Sequence, residues 1–183
     1  MALIINLFGP PGCGKSTGAA YLFYKLKLAG VNAELITEYA KDKVWEENGS
    51  ALSNQLYIFG KQAYRIARCA DKVDVVITDS PLPLSIFYNK DPVLGEPFNQ
   101  TVMNVFNSYN NMNFLLKRVK KYNPAGRLQT EAESDALYDP IKKMLDDNCI
   151  VYLDNIAGNE RGYDFILKLI LGELSKEGES VDT

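Results

Sequence analysis

The residues Gly9-Pro10-Pro11-Gly12-Cys13-Gly14-Lys15-Ser16-Thr17 have types and spacing suited to one chemistry, the grip on a phosphate chain. Gly9, Gly14, Lys15 and Ser16 fill the pattern G-x-x-x-x-G-K-[ST], and the apolar run Leu3 to Phe8 leads straight into it. The glycines let the backbone curl so that successive N–H groups face phosphate oxygens, and the helix that follows adds the positive end of its dipole. Lys15 is expected to reach the β- and γ-phosphates, and the Ser16 hydroxyl to ligate Mg²⁺. Gly12, Cys13 and Thr17 complete the set expected to bind the nucleotide.

Motors, switches and kinases share such a cradle, so the other charged residues carry the distinction. Asp79 follows the apolar run Val73 to Thr78, where a second carboxylate would hold the magnesium shell directly or through water. Capping the next turn is its plainer role. Glu38 follows the run Val31 to Thr37 and so falls at a strand tip, where ligands collect in open α/β sheets. A carboxylate there can take the proton of an alcohol that receives a phosphoryl group, whereas a phosphate acceptor needs no such base. The alternative is a surface Glu favoured by a helix dipole.

The basic run Lys117-Arg118-Val119-Lys120-Lys121 passes into the turn-rich segment Tyr122 to Arg127. It reads as a lid whose Arg118 and Arg127 neutralise the transferring phosphoryl group, as a solvated charge run, or as a local patch for a nucleic-acid backbone. Gln62 and Arg65 share a helix face and, in a pocket, would read a base edge and a substrate anion. Trp45, Tyr57, Phe59 and Tyr88 can stack on a planar ring, although core packing suits each of them as well.

The elements that must position these residues alternate along the chain. Helices are expected at Ser16 to Ala29, Tyr39 to Glu47, Ser53 to Cys69, Leu82 to Asn89 and Phe98 to Tyr109, with Asn48-Gly49-Ser50 as a break. Thr130 and Glu133 form a capping box that opens a helix running to Asp147, and a closing helix covers Tyr163 to Leu174. Strands are expected at Leu3 to Phe8, Val31 to Thr37, Val73 to Thr78, from Asn113, and at Cys149 to Leu153, with a loop from Asp154 to Arg161. This alternation predicts a parallel sheet covered on both faces. We read residues 1–175 as one domain with a lid at about 117–129, and 176–183 as a polar tail.

With 183 residues, 46% hydrophobic and 23% charged, the chain can bury a core without disulfides or metals. Its net charge of -3 argues against a broad basic face for nucleic acid. Cys13, Cys69 and Cys149 read as reduced thiols of a cytoplasmic protein. No stretch is apolar for the ~18 residues that a membrane span needs. The chain has no histidine, which excludes imidazole-dependent triads and zinc sites.

Together these residues resemble the small P-loop kinases of nucleosides and nucleotides within the AAA-like P-loop proteins. The likeness is greatest to the nicotinamide riboside kinase domain and related bacteriophage-type kinases. It rests on Gly9 to Thr17, Glu38-Tyr39-Ala40-Lys41, Gln62, Asp79-Ser80, and the last strand followed by Gly158-Asn159-Glu160-Arg161. The resemblance implies a three-layer fold with a five-stranded parallel sheet in order 2-3-1-4-5, ATP with Mg²⁺, and an acceptor pocket between Glu38 and Asp79. It also implies that Glu38 is the base, that Gln62 reads the nucleobase, and that the loop carrying Arg161 packs on the adenine. Lys41 departs from the arginine usual there, and Gly126-Arg127 looks more like a nucleotide-kinase lid. Three functions follow: a nucleoside, nucleotide or nicotinamide riboside kinase, a kinase acting on a polynucleotide, or an ATP-hydrolysing switch or motor. Ser80 and Pro81 stand where a motor carries a catalytic Glu, and the base-reading N-K-x-D of a GTP switch is missing. The expected partners are ATP and a small acceptor, without a membrane, and a homodimer stays open.

Overall fold

Along strand β1 (Leu3–Phe8) the apolar residues alternate between two cores. Leu3, Ile5 and Leu7 enter one, while Ile4 and Phe8 enter the other. A strand apolar on both faces must be covered on both, which makes β1 central. The computed structural model describes residues 1–123 and 129–179.

After β1 come α1 (Lys15–Leu28), β2 (Ala33–Ile36), α2 (Tyr39–Trp45), α3 (Gly49–Ser53), α4 (Gln55–Ala67) and β3 (Val75–Thr78). Then follow α5 (Leu84–Tyr88), α6 (Gly95–Asn107), β4 (Asn110–Lys117), α7 (Glu131–Asp135), α8 (Tyr138–Asp147), β5 (Leu153–Ala157) and α9 (Glu160–Glu179). The strands form a parallel sheet in the order β2-β3-β1-β4-β5, the P-loop NTPase arrangement. Leu22 and Leu26 of α1 pack with Ile166 and Ile170 of α9 on one face. Phe59 of α4, Val102 of α6 and Ile141 of α8 pack on the other. The sheet also holds a polar tie: Asn6 donates to Asn111 Oδ1 and Asn113 Oδ1, each at 2.9 Å, joining β1 to β4 where β5 has not yet begun.

Three departures from the sequence expectation have a local physical cause. The helix expected from Glu131 to Asp147 is two helices. Pro140 sits in the first turn of α8, and a continuous helix would set its ring against the carbonyl four residues back. The capping box at Thr130 and Glu133 is formed as expected. The strand expected at Cys149 to Leu153 lies later, at Leu153–Ala157. Cys149 takes a left-handed φ of 53°, and Ile150 N–H donates to Leu145 O at 3.0 Å, so the apolar run caps α8 and anchors it in the core. Finally, Asn48-Gly49-Ser50 does more than break a helix: Asn48 Oδ1 accepts from Ala51 N–H and caps α3.

Candidate active site

All five strands point their C-terminal ends the same way, and each delivers something there. Residues 9–14 leave β1, Glu38 leaves β2, Asp79 leaves β3, Arg118 leaves β4 and Gly158 leaves β5. Gly9 and Gly14 hold φ values of 137° and 111°, which turn the chain from β1 into α1 in a way a side chain would strain. The loop has a back wall. Tyr163 Oη donates to Gly14 O at 2.9 Å, and its ring fills the space beside Gly18. Gly158, fixed by its N–H to Lys117 O at 2.9 Å, lies directly against the Cys13 carbonyl.

The first helical bond of α1 runs from Gly18 N–H to Gly14 O at 2.8 Å, so the earlier N–H groups of its first turn face outward as helix geometry dictates. Ser16 and Thr17 are exposed there. Lys15 Nζ donates to Gly9 O at 2.7 Å and Pro10 O at 3.1 Å, leaving one of three ammonium protons. Burial works to lower the pKa of Lys15, and the negative field of Cys13, Tyr88, Glu38 and Asp79 outweighs it, leaving the value above the ordinary range.

Asp79 is buried, and its Oδ1 has no hydrogen-bond partner among the described residues. A buried carboxylate oxygen without a partner is costly unless a cation or its waters complete it. Together with the Ser16 hydroxyl it fits Mg²⁺, which takes one or two protein oxygens and fills its remaining positions with water and phosphate. Glu38 stands at the N-cap position of α2, yet its side chain makes no capping bond. Burial pushes its carboxyl pKa up, against Lys15 and Lys41 and with Asp79 and Asp42.

With that geometry in view, the sequence from residue 4 to residue 160 matches the family model described as AAA domain. The chain belongs to the AAA domain family. No curated protein matches it. An AAA domain is a P-loop fold of the nucleotide- and ATP-binding kind, and the segment Gly9 to Thr17 carries its phosphate-loop pattern. Among the described residues no helix is long and apolar enough to cross a membrane.

The remaining candidate residues of this AAA domain divide by position. Gln62 is buried with its amide engaged: Oε1 accepts from Tyr39 N–H at 2.9 Å, and Nε2 donates to Thr37 O and Thr78 Oγ1. It ties the tips of β2 and β3 together just behind Glu38 and Asp79. Arg65 lies at the outer edge, donating to Thr37 O and Asp42. Arg118 leaves β4 beside the loop, but its guanidinium is held by Asp135 and Glu131 of α7, which raise its pKa. Lys120 leans back to the loop helix, Nζ to Thr17 Oγ1 at 3.3 Å. Arg161 is exposed in the first turn of α9, and Arg127 lies outside the described residues.

Tyr88, one of the four rings that the sequence offers for stacking, ends α5. Burial raises its hydroxyl pKa, while Lys15 lowers it and Glu38 raises it, so both charges act on its hydroxyl. The sequence signal is an aromatic at the end of the short helix that follows Asp79.

Proposed function

We propose that this AAA domain is an ATP-dependent phosphotransferase that moves the γ-phosphoryl group to a hydroxyl of a nucleoside, nucleotide or nicotinamide riboside-like acceptor. The observation that carries the reading is Glu38, a strand-tip carboxylate with no capping bond, close enough to Lys15 and Asp79 for each to shift its pKa.

The acceptor oxygen attacks the γ-phosphorus, the bond to the β-phosphate oxygen breaks, ADP leaves, and the hydroxyl proton passes to Glu38. Lys15, with Arg118 and Arg127 from the basic segment, balances the charge on the transferring group. Ser16 and Asp79 would hold Mg²⁺, which would supply charge neutralisation along the phosphate chain. Burial, which pushes the Glu38 carboxyl above the ordinary glutamate range, makes it a stronger base toward the acceptor proton than a solvated glutamate. Gln62 and Arg65 would bound the acceptor side through the β2 tip, Tyr88 would close it from α5, and Arg161 would meet the adenine.

Transfer of labelled γ-phosphate to nucleosides, nucleoside monophosphates and nicotinamide riboside tests the reading. Label on one of these acceptors, lost in Glu38→Gln, is the expected result. ATP hydrolysis that needs no acceptor and rises with protein concentration, with label on none of them, overturns it.

A further inference from the structure

One face of α4 mixes cations and aromatic rings. Tyr57, Lys61, Tyr64 and Arg68 follow at intervals of four, three and four residues, with Arg65 beside them. That spacing lays them along one stripe, about 16 Å long at the helical rise. Tyr64 is 69% exposed and Tyr57 39% exposed. Lys61 Nζ stands 5.5 Å from the centre of the Tyr57 ring. Arg65 is paired with Asp42, but among the described residues Lys61 and Arg68 have no carboxylate at ion-pair distance. Lys61, Tyr64, Arg65 and Arg68 form a groove of about 360 Å³ with Leu35 and Ile36 of β2 and with Thr37 just past its end. Among the described residues β2 pairs only with β3, so the groove follows the open edge of the sheet.

We propose that this stripe binds single-stranded nucleic acid. Cations that alternate with exposed rings match a chain that alternates phosphates with flat bases. The patch is local, on a chain whose net charge is -3, so the attraction belongs to this face and not to the molecule as a whole. An acidic peptide would engage the cations and leave both rings unused. A second copy docked about a two-fold axis would set the same positive stripe against itself. A groove of this size takes a base and not the width of a duplex.

The stripe also has a direction. Gln62 of α4 meets Thr37 and Thr78 at the strand tips, while Ala70, just past the helix, accepts from Ala2 N–H at the base of the sheet. A strand lying along it passes Thr37 and arrives at Glu38. That last step, delivery of a polymer-borne hydroxyl to the base, rests on the phosphotransferase reading, whereas binding to the stripe does not.

Fluorescence anisotropy of a labelled oligothymidylate 12-mer with the full chain tests the proposal without turnover. Two unpaired cations on phosphates predict an affinity that falls roughly sevenfold between 50 and 200 mM salt. The double variant Lys61→Glu, Arg68→Glu should bind at least about tenfold more weakly, and Tyr64→Ala about tenfold more weakly through lost stacking. Both should keep wild-type affinity for a fluorescent ATP analogue. Absent or salt-independent binding, binding unchanged in both variants, equal competition by polyglutamate, or a dimer that closes the stripe would each overturn it. An oligonucleotide that binds by these criteria but accepts no phosphate keeps the surface, and its failure as acceptor counts against the polymer branch of the kinase reading alone.

Discussion

Gly158→Ala is the sharpest test of how the phosphate loop is held. A Cβ built on Gly158 lies 1.7 Å from the Cys13 carbonyl oxygen, 2.9 Å from the Cys13 carbonyl carbon and 3.1 Å from Lys117 O. The first contact is roughly 1.3 Å short of the 3.0 Å below which real Cβ atoms are essentially never found. All three neighbours are backbone, so no side chain can rotate away. Overpacking of this kind costs about 3 kcal/mol, the upper end of the usual range. For a chain of this size that lowers the melting temperature by about 6–12 °C. Relief by retreat of Cys13 tilts the peptide groups beside Gly14 and Lys15, and loss of one charge-assisted N–H bond weakens ATP binding by about tenfold or more. Gly172→Ala is the control: it lies inside α9 with nothing within 4 Å of its Cβ, and should raise stability by about 0.5–1 kcal/mol. Thermal melts and titration with a fluorescent ATP analogue read both variants. A Gly158→Ala protein that melts within 2 °C of wild type and binds ATP equally well would refute this account of the loop.

Glu38→Gln should lower turnover by about 10²-fold or more while raising stability at neutral pH. Its folded pKa lies above its unfolded one, so the native state holds the proton more tightly; that stabilisation is full below the ordinary glutamate range and is lost as pH rises through the folded value. The variant should therefore melt above wild type near pH 7.5 and level with it near pH 4, and the same offset at both pH values contradicts the assignment. Asp79→Asn should raise the Mg²⁺ needed for half-maximal activity by roughly 10–100-fold without lowering the melting temperature, since no hydrogen bond to Oδ1 is lost. A Mg²⁺ titration that superimposes on wild type removes Asp79 from the metal site. Glu131→Gln combined with Asp135→Asn frees Arg118, and should lower the KM for ATP at a stability cost of about 0.2–1 kcal/mol for each exposed pair. An unchanged KM, with Arg118→Ala also silent, makes Arg118 a fastening for α7 only.

The parts legible in the sequence are those whose cause is local. The run into Gly9, the start of α1, and the delivery of Glu38 and Asp79 to strand tips follow from apolar periodicity and turn residues a few positions apart. The match of residues 4–160 to the AAA domain and the order β2-β3-β1-β4-β5 agree with that reading. What escaped depends on partners far along the chain. Nothing near Gln62 announces that its amide faces Tyr39 and Thr78, nor near Arg118 that α7 supplies two carboxylates to it. Pro140 is different: its meaning is local and was present to be read, but the capping box and the apolar spacing outweighed it. At Cys149 a β-branched run followed a helix, and only the left-handed cap separates a strand from an anchor.

The hydrogen bond from Tyr163 to Gly14 spans 149 residues, and Gly158 closes on the same loop. A ribosome needs roughly 7–30 s to cover that distance. Until then a nascent chain has the glycines, the lysine, the start of α1 and the Ser134 hydroxyl on Pro11 O, but neither the Tyr163 bond to Gly14 nor the Gly158 wall against Cys13. Competence to bind ATP therefore arrives late and as a step, when β5 and α9 dock. Proteolytic trimming from the C-terminal side should abolish it abruptly at the turn of helix that carries Tyr163, while much of β1, β3 and β4 still pairs.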